Sequence, residues 1–197
     1  MRTTIRQQCL HARRSLSPDL RTLKSQQIVD ALWPLIRCCS TLGSYLAMPD
    51  EVDLTPLHDR CWATGIALMV PQIQSKTTFA WVRLSSPADL IEGPYGIKTS
   101  AHPEVNSWSA LDAVLVPMVG FRVDGARLGM GGGYYDRGLP TVRETTRVIG
   151  VAFDCQEAPG IDAQWWDVSM PCVITESRTL INSAWRCAPR SQPSKSR

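Results

Sequence analysis

Residues 113–137 read AVLVPMVGFRVDGARLGMGGGYYDR. The run from Ala113 to Val116 has the length and apolar character of a buried strand. Beyond it, Gly129, Gly131, Gly132 and Gly133 fall within five positions, followed by Tyr134, Tyr135, Asp136 and Arg137. Glycine loses more conformational entropy on ordering than any other residue, so such density does not serve regular structure. It serves close approach of backbone amides to a ligand, and phosphate is the usual ligand of such a nest. The pattern is not a P-loop, which needs Gly-Lys-Ser/Thr where Gly133 is followed by Tyr134. Nor is it the dinucleotide fingerprint, which needs a glycine at position 134. A glycine loop can also be a tight strand-to-helix connection. Arg127 and Arg137 on its flanks, the tyrosine pair and Asp136 favour an anion site with a carboxylate suited to Mg2+.

Outward from this loop, helical and strand patterns alternate. Residues 2–16 read as a helix, with Arg2, Arg6, Cys9 and Arg13 on one face and Ile5, Ala12 and Leu16 on the adjoining stripe. Ser17 caps a second helix, with Pro18 and Asp19 in its first turn, which should stop at Trp33 before Pro34. Strands are expected at 41–48, 66–70, 79–84, 112–116, 147–153 and 172–174. A helix from Thr55 should end at Gly65. Residues 85–110, rich in Ser, Pro and Gly, read as loops. The alternation implies an α/β domain with a mostly parallel sheet and helices on its faces. In such a sheet ligands gather at the carboxyl ends of strands. Three segments stand there: 49–53, the glycine loop, and 154–157.

The chain has 197 residues and 44% hydrophobic content, enough for one domain with a sizeable core, expected over 1–185. The net charge of +3 comes from the end of the chain. Residues 186–197 carry four basic groups and no acid, and without them 17 basic residues face 18 acidic ones. The body has no global basic field of the kind that binds nucleic acid. The tail reads as disordered. The seven cysteines lack a Cys-x-x-Cys pair, and no signal peptide or membrane-length apolar run is visible. The expected setting is the cytoplasm, with reduced thiols and a monomeric state. His11, His58 and His102 lie far apart; His58 and Cys61 have a plausible ligand spacing, but no second pair completes a zinc site, and all three histidines read as surface or local structural residues.

The segment Arg127-Leu128-Gly129-Met130-Gly131-Gly132-Gly133-Tyr134-Tyr135-Asp136-Arg137 resembles the signature of the 5-formyltetrahydrofolate cyclo-ligases, and weaker likeness extends from Arg2 to about Glu176. The resemblance implies a three-layer Rossmann-like fold. It also implies ATP- and Mg2+-dependent conversion of 5-formyltetrahydrofolate to 5,10-methenyltetrahydrofolate, with release of ADP and phosphate through an iminium phosphate. Rival readings are a silent nucleotide- or folate-binding protein, or a related ATP-dependent enzyme acting on another formyl or amine substrate.

Carried over residue by residue, the resemblance places ATP on Arg2, Thr3, Thr4, Ile5 and Arg6, and on Arg127, Leu128, Gly129, Met130, Gly131, Gly132, Gly133, Tyr134 and Tyr135. It places the folate on Leu46, Glu51, Met130, Gly131, Gly132, Gly133 and Tyr134. Arg127 and Tyr134 are the expected catalytic residues, and Asp136 and Asp167 the expected Mg2+ pair. A carboxylate at Glu51 suits the pterin, because an ionised acid only accepts hydrogen bonds and the pterin offers N–H donors. The chain departs from the family pattern at Arg122, where an aspartate is usual. It departs again at Lys98-Thr99-Ser100, which lacks the Glu-Pro that often follows Gly-Ile. Gly132 stands where some members have lysine.

Overall fold

The structure is a computed structural model that describes residues 1–183; the basic tail expected at 186–197 lies outside the described residues. In chain order the elements are α1 (Arg2–Arg14), α2 (Pro18–Ile36), β1 (Thr41–Gly43), α3 (Thr55–Thr64), β2 (Ala67–Ile73), β3 (Phe79–Arg83), β4 (Leu90–Glu92), β5 (Lys98–Ser100), β6 (Val105–Asn106), β7 (Ala113–Pro117), β8 (Gly120–Phe121), β9 (Arg127–Leu128), α4 (Tyr134–Gly138), β10 (Arg147–Val151), β11 (Cys172–Ile174) and β12 (Thr179–Ile181).

Eight strands form one sheet in the order β12-β11-β10-β7-β1-β2-β3-β6. The five central strands, β11 to β2, run parallel, and antiparallel strands close both edges. Alternation along β7 shows how the sequence divides the layers. Ala113 and Leu115 join the core on one face, Val114 and Val116 the core on the other. The first face is covered by α2 and α3, which contribute Ile28, Val29, Leu32, Ile36, Leu57 and Cys61. Among the described residues no long helix covers the second face. Trp108, Leu139 and Tyr135 lie over it from short helical turns, packed with Trp81 and Phe79. No described helix is long and apolar enough to cross a membrane.

Several expected boundaries move. α2 runs through Pro34 to Ile36, because Leu32 and Ile36 are fully buried and their packing outweighs the hydrogen bond that proline removes. The strand expected over 41–48 stops at Gly43, since Tyr45 leaves the ladder and its hydroxyl donates to Val52 O at 3.2 Å. Residues 85–110 are not merely loops. β4 and β5 form a ribbon, tied over β2 by Thr99 Oγ1 to Pro71 O (2.9 Å), and β6 adds an edge strand. The glycine loop does not follow β7 directly: the β8–β9 ribbon intervenes. Ser17 caps α2 and Gly65 ends α3, as expected.

Candidate active site

A cleft of about 680 Å³ opens at the carboxyl ends of β1, β2 and β7. One wall is the glycine loop, residues 129–133, and the turn into α4. Opposite stand Tyr45, Leu46, Met48 and Glu51, and the β4–β5 ribbon brings Ile97 and Lys98 to the rim.

The glycine loop is held by its carbonyls. Arg6 Nε donates to Gly129 O at 2.9 Å, and Arg137 Nη1 to Gly132 O at 2.7 Å. None of the backbone amides of residues 129–133 donates to another group among the described residues. Gly131 and Gly133 have φ of +104° and +67°, a region that side chains other than glycine's disfavour. The loop is therefore a set of unused N–H donors on a backbone only glycine adopts easily. Met130 is 60% exposed at the cleft edge.

The two expected metal aspartates meet here. Asp136 pairs with Arg127 and accepts from the Val168 amide at 3.2 Å, which brings α4 against the segment carrying Asp167. Asp167 pairs with Arg2 at 2.5 Å and accepts from the Gln164 amide at 2.8 Å. Burial pushes the Asp167 carboxyl up, but the bond and charge of Arg2, with the Gln164 amide, hold it below the ordinary range. Among the described residues no third His, Cys, Asp or Glu joins them. Two carboxylates are the usual protein share of a Mg2+ shell, so the donor chemistry fits.

At the other end, Glu51 Oε2 accepts from the Met48 amide at 3.0 Å, and Oε1 lies 3.6 Å from Arg13 Nη1. Burial raises its carboxyl, against the pull of the Met48 amide and Arg13. Tyr135 lines the cleft with its ring packed edge-on against Phe79 at 5.5 Å. Its hydroxyl is buried with no hydrogen-bond partner among the described residues, as is Arg127 Nε.

Most of the residues expected at the site thus share one cleft: Arg2, Arg6, Leu46, Glu51, Arg127, the glycine loop, Tyr134, Tyr135, Asp136 and Asp167. Thr3 and Thr4 are exposed and do not line it, Ile5 packs with Ala126 and Ile161, and Leu128 is buried behind the loop. The third segment expected at the strand ends, 154–157, does not line the cleft either. Asp154 and Glu157 pair with Arg178, at 3.3 and 2.7 Å, away from the cleft. Sequence reasoning missed the apolar wall of Pro71, Ile73, Phe79 and Met118. These residues read as ordinary strand sequence, and nothing in their local pattern marks them. It also missed Arg13, whose place on the face of Arg2 and Arg6 was the available signal.

The model of the 5-formyltetrahydrofolate cyclo-ligase family matches residues 1–176. The chain is 29% identical over 173 residues to the 5-formyltetrahydrofolate cyclo-ligase of Escherichia coli K12, covering 84% of this chain and 95% of that protein. It is 26% identical over 187 residues to the enzyme of the same name from Mycolicibacterium smegmatis, covering 91% and 96%. Among solved structures, 5,10-methenyltetrahydrofolate synthetase of Aquifex aeolicus superposes with a TM-score of 0.82 at 28% identity, over 98% of each chain. The match along nearly the whole length, with the glycine loop and both aspartates in one cleft, places the chain in the 5-formyltetrahydrofolate cyclo-ligase family of enzymes.

Proposed function

We propose that this chain converts 5-formyltetrahydrofolate to 5,10-methenyltetrahydrofolate at the expense of ATP, with Mg2+ as cofactor. The observation that carries this reading is the division of the cleft. One end presents unused amides and guanidinium groups, the other a buried carboxylate beside apolar side chains.

The formyl amide is a weak electrophile, and its oxygen is a poor leaving group. Transfer of the γ-phosphoryl group to that oxygen forms an iminium phosphate and releases ADP. The 10-nitrogen then attacks the formyl carbon and loses its proton, and phosphate departs with the oxygen. No covalent nucleophile from the protein is needed. The chain's task is positioning and charge neutralisation.

Arg6 and Arg137, whose only partners among the described residues are backbone carbonyls, and the amides of residues 129–133 would hold phosphate oxygens. Arg127 would face the transferring group through the edge not spent on Asp136. Tyr134 and Met130, with Leu46 across the cleft, would flank the pterin, and Glu51 would accept from its N–H groups. Asp136 and Asp167 would hold Mg2+, which supplies charge neutralisation on the phosphates. In this structure both carboxylates are taken by Arg127 and Arg2. Phosphate drawing those arginines away would leave the carboxylates to the cation, so nucleotide and metal are expected to bind together.

The test is absorbance at the methenyl band after adding 5-formyltetrahydrofolate and Mg-ATP, together and separately. Growth of the band only with both supports the reading. Tight binding of either ligand with no product would make the protein a silent binder.

A further inference from the structure

α1 does more than reach the phosphate end. Arg2, Arg6 and Arg13 lie along one face, and Arg13 stands seven residues beyond Arg6, about 10 Å along the helix axis. Arg13 is only 2% exposed and does not line the cleft. Its guanidinium lies behind the loop that carries Glu51. Nε and Nη2 contact Asp50 Oδ2 at 3.3 and 3.0 Å, and Nη1 faces Glu51 Oε1 at 3.6 Å, an ion pair rather than a hydrogen bond. Arg14 Nε also reaches Asp50 Oδ2, at 3.1 Å. Glu51, which lines the cleft, thus has one oxygen tied to the Met48 amide and the other facing Arg13.

We propose that Arg13 is a positioning residue for the folate: its planar fork aims and charges Glu51 toward the ligand, with Asp50 as the competing acid that sets how much of the fork Glu51 receives. A lysine could not span both carboxylates, because its charge is a single point on a flexible stem. The inference rests on the reading of Glu51 as the folate carboxylate. Burial pushes the Glu51 carboxyl up and the Asp50 charge pushes the same way, while the Met48 amide and Arg13 pull it down. The hydroxyls of Tyr45 and Tyr135 also lie near Glu51, and burial holds both neutral. Arg13, with the Met48 amide, opposes that rise and favours the ionised, accepting form of Glu51.

The experiment is the pH profile of KM for 5-formyltetrahydrofolate in the full chain, beside KM for ATP. Arg13→Met should raise the folate KM roughly tenfold, as loss of a charged partner does, and leave the ATP KM in place. Its acid limb should move to higher pH, because Glu51 then protonates more easily. Asp50→Asn should move the limb the opposite way, to lower pH, and Arg13→Lys should recover part of the Arg13→Met loss. A residue that merely stabilises the fold would not give limbs of opposite sign. If Arg13→Met does not fold, the Asp50→Asn arm decides: a limb that stays or rises overturns the proposal. Glu51→Gln separates the two levels. Should it leave the folate KM and the limb untouched, the reading of Glu51 fails. Should it abolish the limb while the Arg13 and Asp50 variants leave it in place, only the role of Arg13 fails.

Discussion

The two loops that face each other across the cleft are built on opposite plans. Residues 48–53 are fixed by bonds from nearly every position. Pro49 O accepts from Arg21, Asp50 from Arg13 and Arg14, Val52 O from Tyr45, and the Asp53 amide donates to Ser25 Oγ at 3.1 Å. Residues 129–133 have almost no side chains to fix. Two carbonyls are held by arginines, and the amides are left unused. The difference suits two ligand chemistries. A flat heterocycle with a set pattern of donors needs one acceptor in one place, which demands a rigid support. A phosphate chain has many equivalent oxygens, which a row of amides can meet without a single aimed group.

The largest effect that could break this comparison lies at the two aspartates. Asp136→Asn and Asp167→Asn should each lower turnover roughly 100-fold or more, since each removes charge from the proposed Mg2+ shell where transition-state charge develops. Each should also raise affinity for ATP without Mg2+, because Arg127 or Arg2 is released from its pair. Nucleotide titrations in chelator read this directly. Weaker metal-free binding in both variants would show that the aspartates do not restrain the arginines.

Next in size is a crossed pair. Glu51→Gln replaces an acceptor-only group with one that also presents donors. It should raise KM for the folate and leave that for ATP in place. Arg6→Ala should do the reverse, with a loss of about 1.5–3 kcal/mol for a charge-assisted contact. If each variant weakens both ligands equally, the cleft is not divided as the loops suggest.

A smaller effect distinguishes the loops as structures. Gly131→Val and Gly133→Val force φ values of +104° and +67° on a branched side chain, a strain of about 1–3 kcal/mol. A Cβ at Gly131 would meet only Arg6, at 3.7 Å. The strain should relax by moving the loop, so nucleotide affinity falls while the melting temperature and folate affinity change little. Calorimetric titration and melting curves on the same samples check this. Equal losses in melting temperature and nucleotide affinity would make the loop a structural element first.

How legible each half was in the sequence follows from the same contrast. The glycine loop announces itself, because glycine density and flanking arginines are local signals. The parallel core was legible from apolar runs such as 113–116, whose alternation the two faces divide. Glu51 was not legible from its neighbours: an acidic stretch after a strand is most often a turn, and only the family resemblance marked it. What fixes it, Arg13, Arg21 and Ser25, comes from two helices earlier in the chain, and such side-chain-to-loop bonds leave no period or motif. The same holds for α2, which passes Pro34 because tertiary burial of Ile36 overrides a local stop signal. It holds also for the 154–157 segment, whose acids pair with Arg178 instead of the ligand cleft.

The smallest effect tests whether the rigid half carries a pH dependence of its own. His58 is buried on α3, with Nε2 2.9 Å from Ser44 Oγ, just before the Tyr45–Leu46 wall. Burial lowers its imidazole to about 4 from an ordinary 6.5. A base depressed in the folded state binds its proton more readily when unfolded, so stability is complete above the unfolded value and is lost as pH falls toward the folded one. The window is therefore pH 6.5 to about 4. Going from pH 7 to pH 6 should cost about 0.7 kcal/mol from this group, a drop of roughly 2 °C in melting temperature for a domain of this size. His58→Gln keeps a partner for Ser44 and cannot titrate, so the difference in melting temperature between pH 7 and pH 6 should shrink by that amount. An unchanged difference would mean that His58 is not the acid-sensitive group, and the support of the Glu51 loop would then be insensitive to pH on the α3 side.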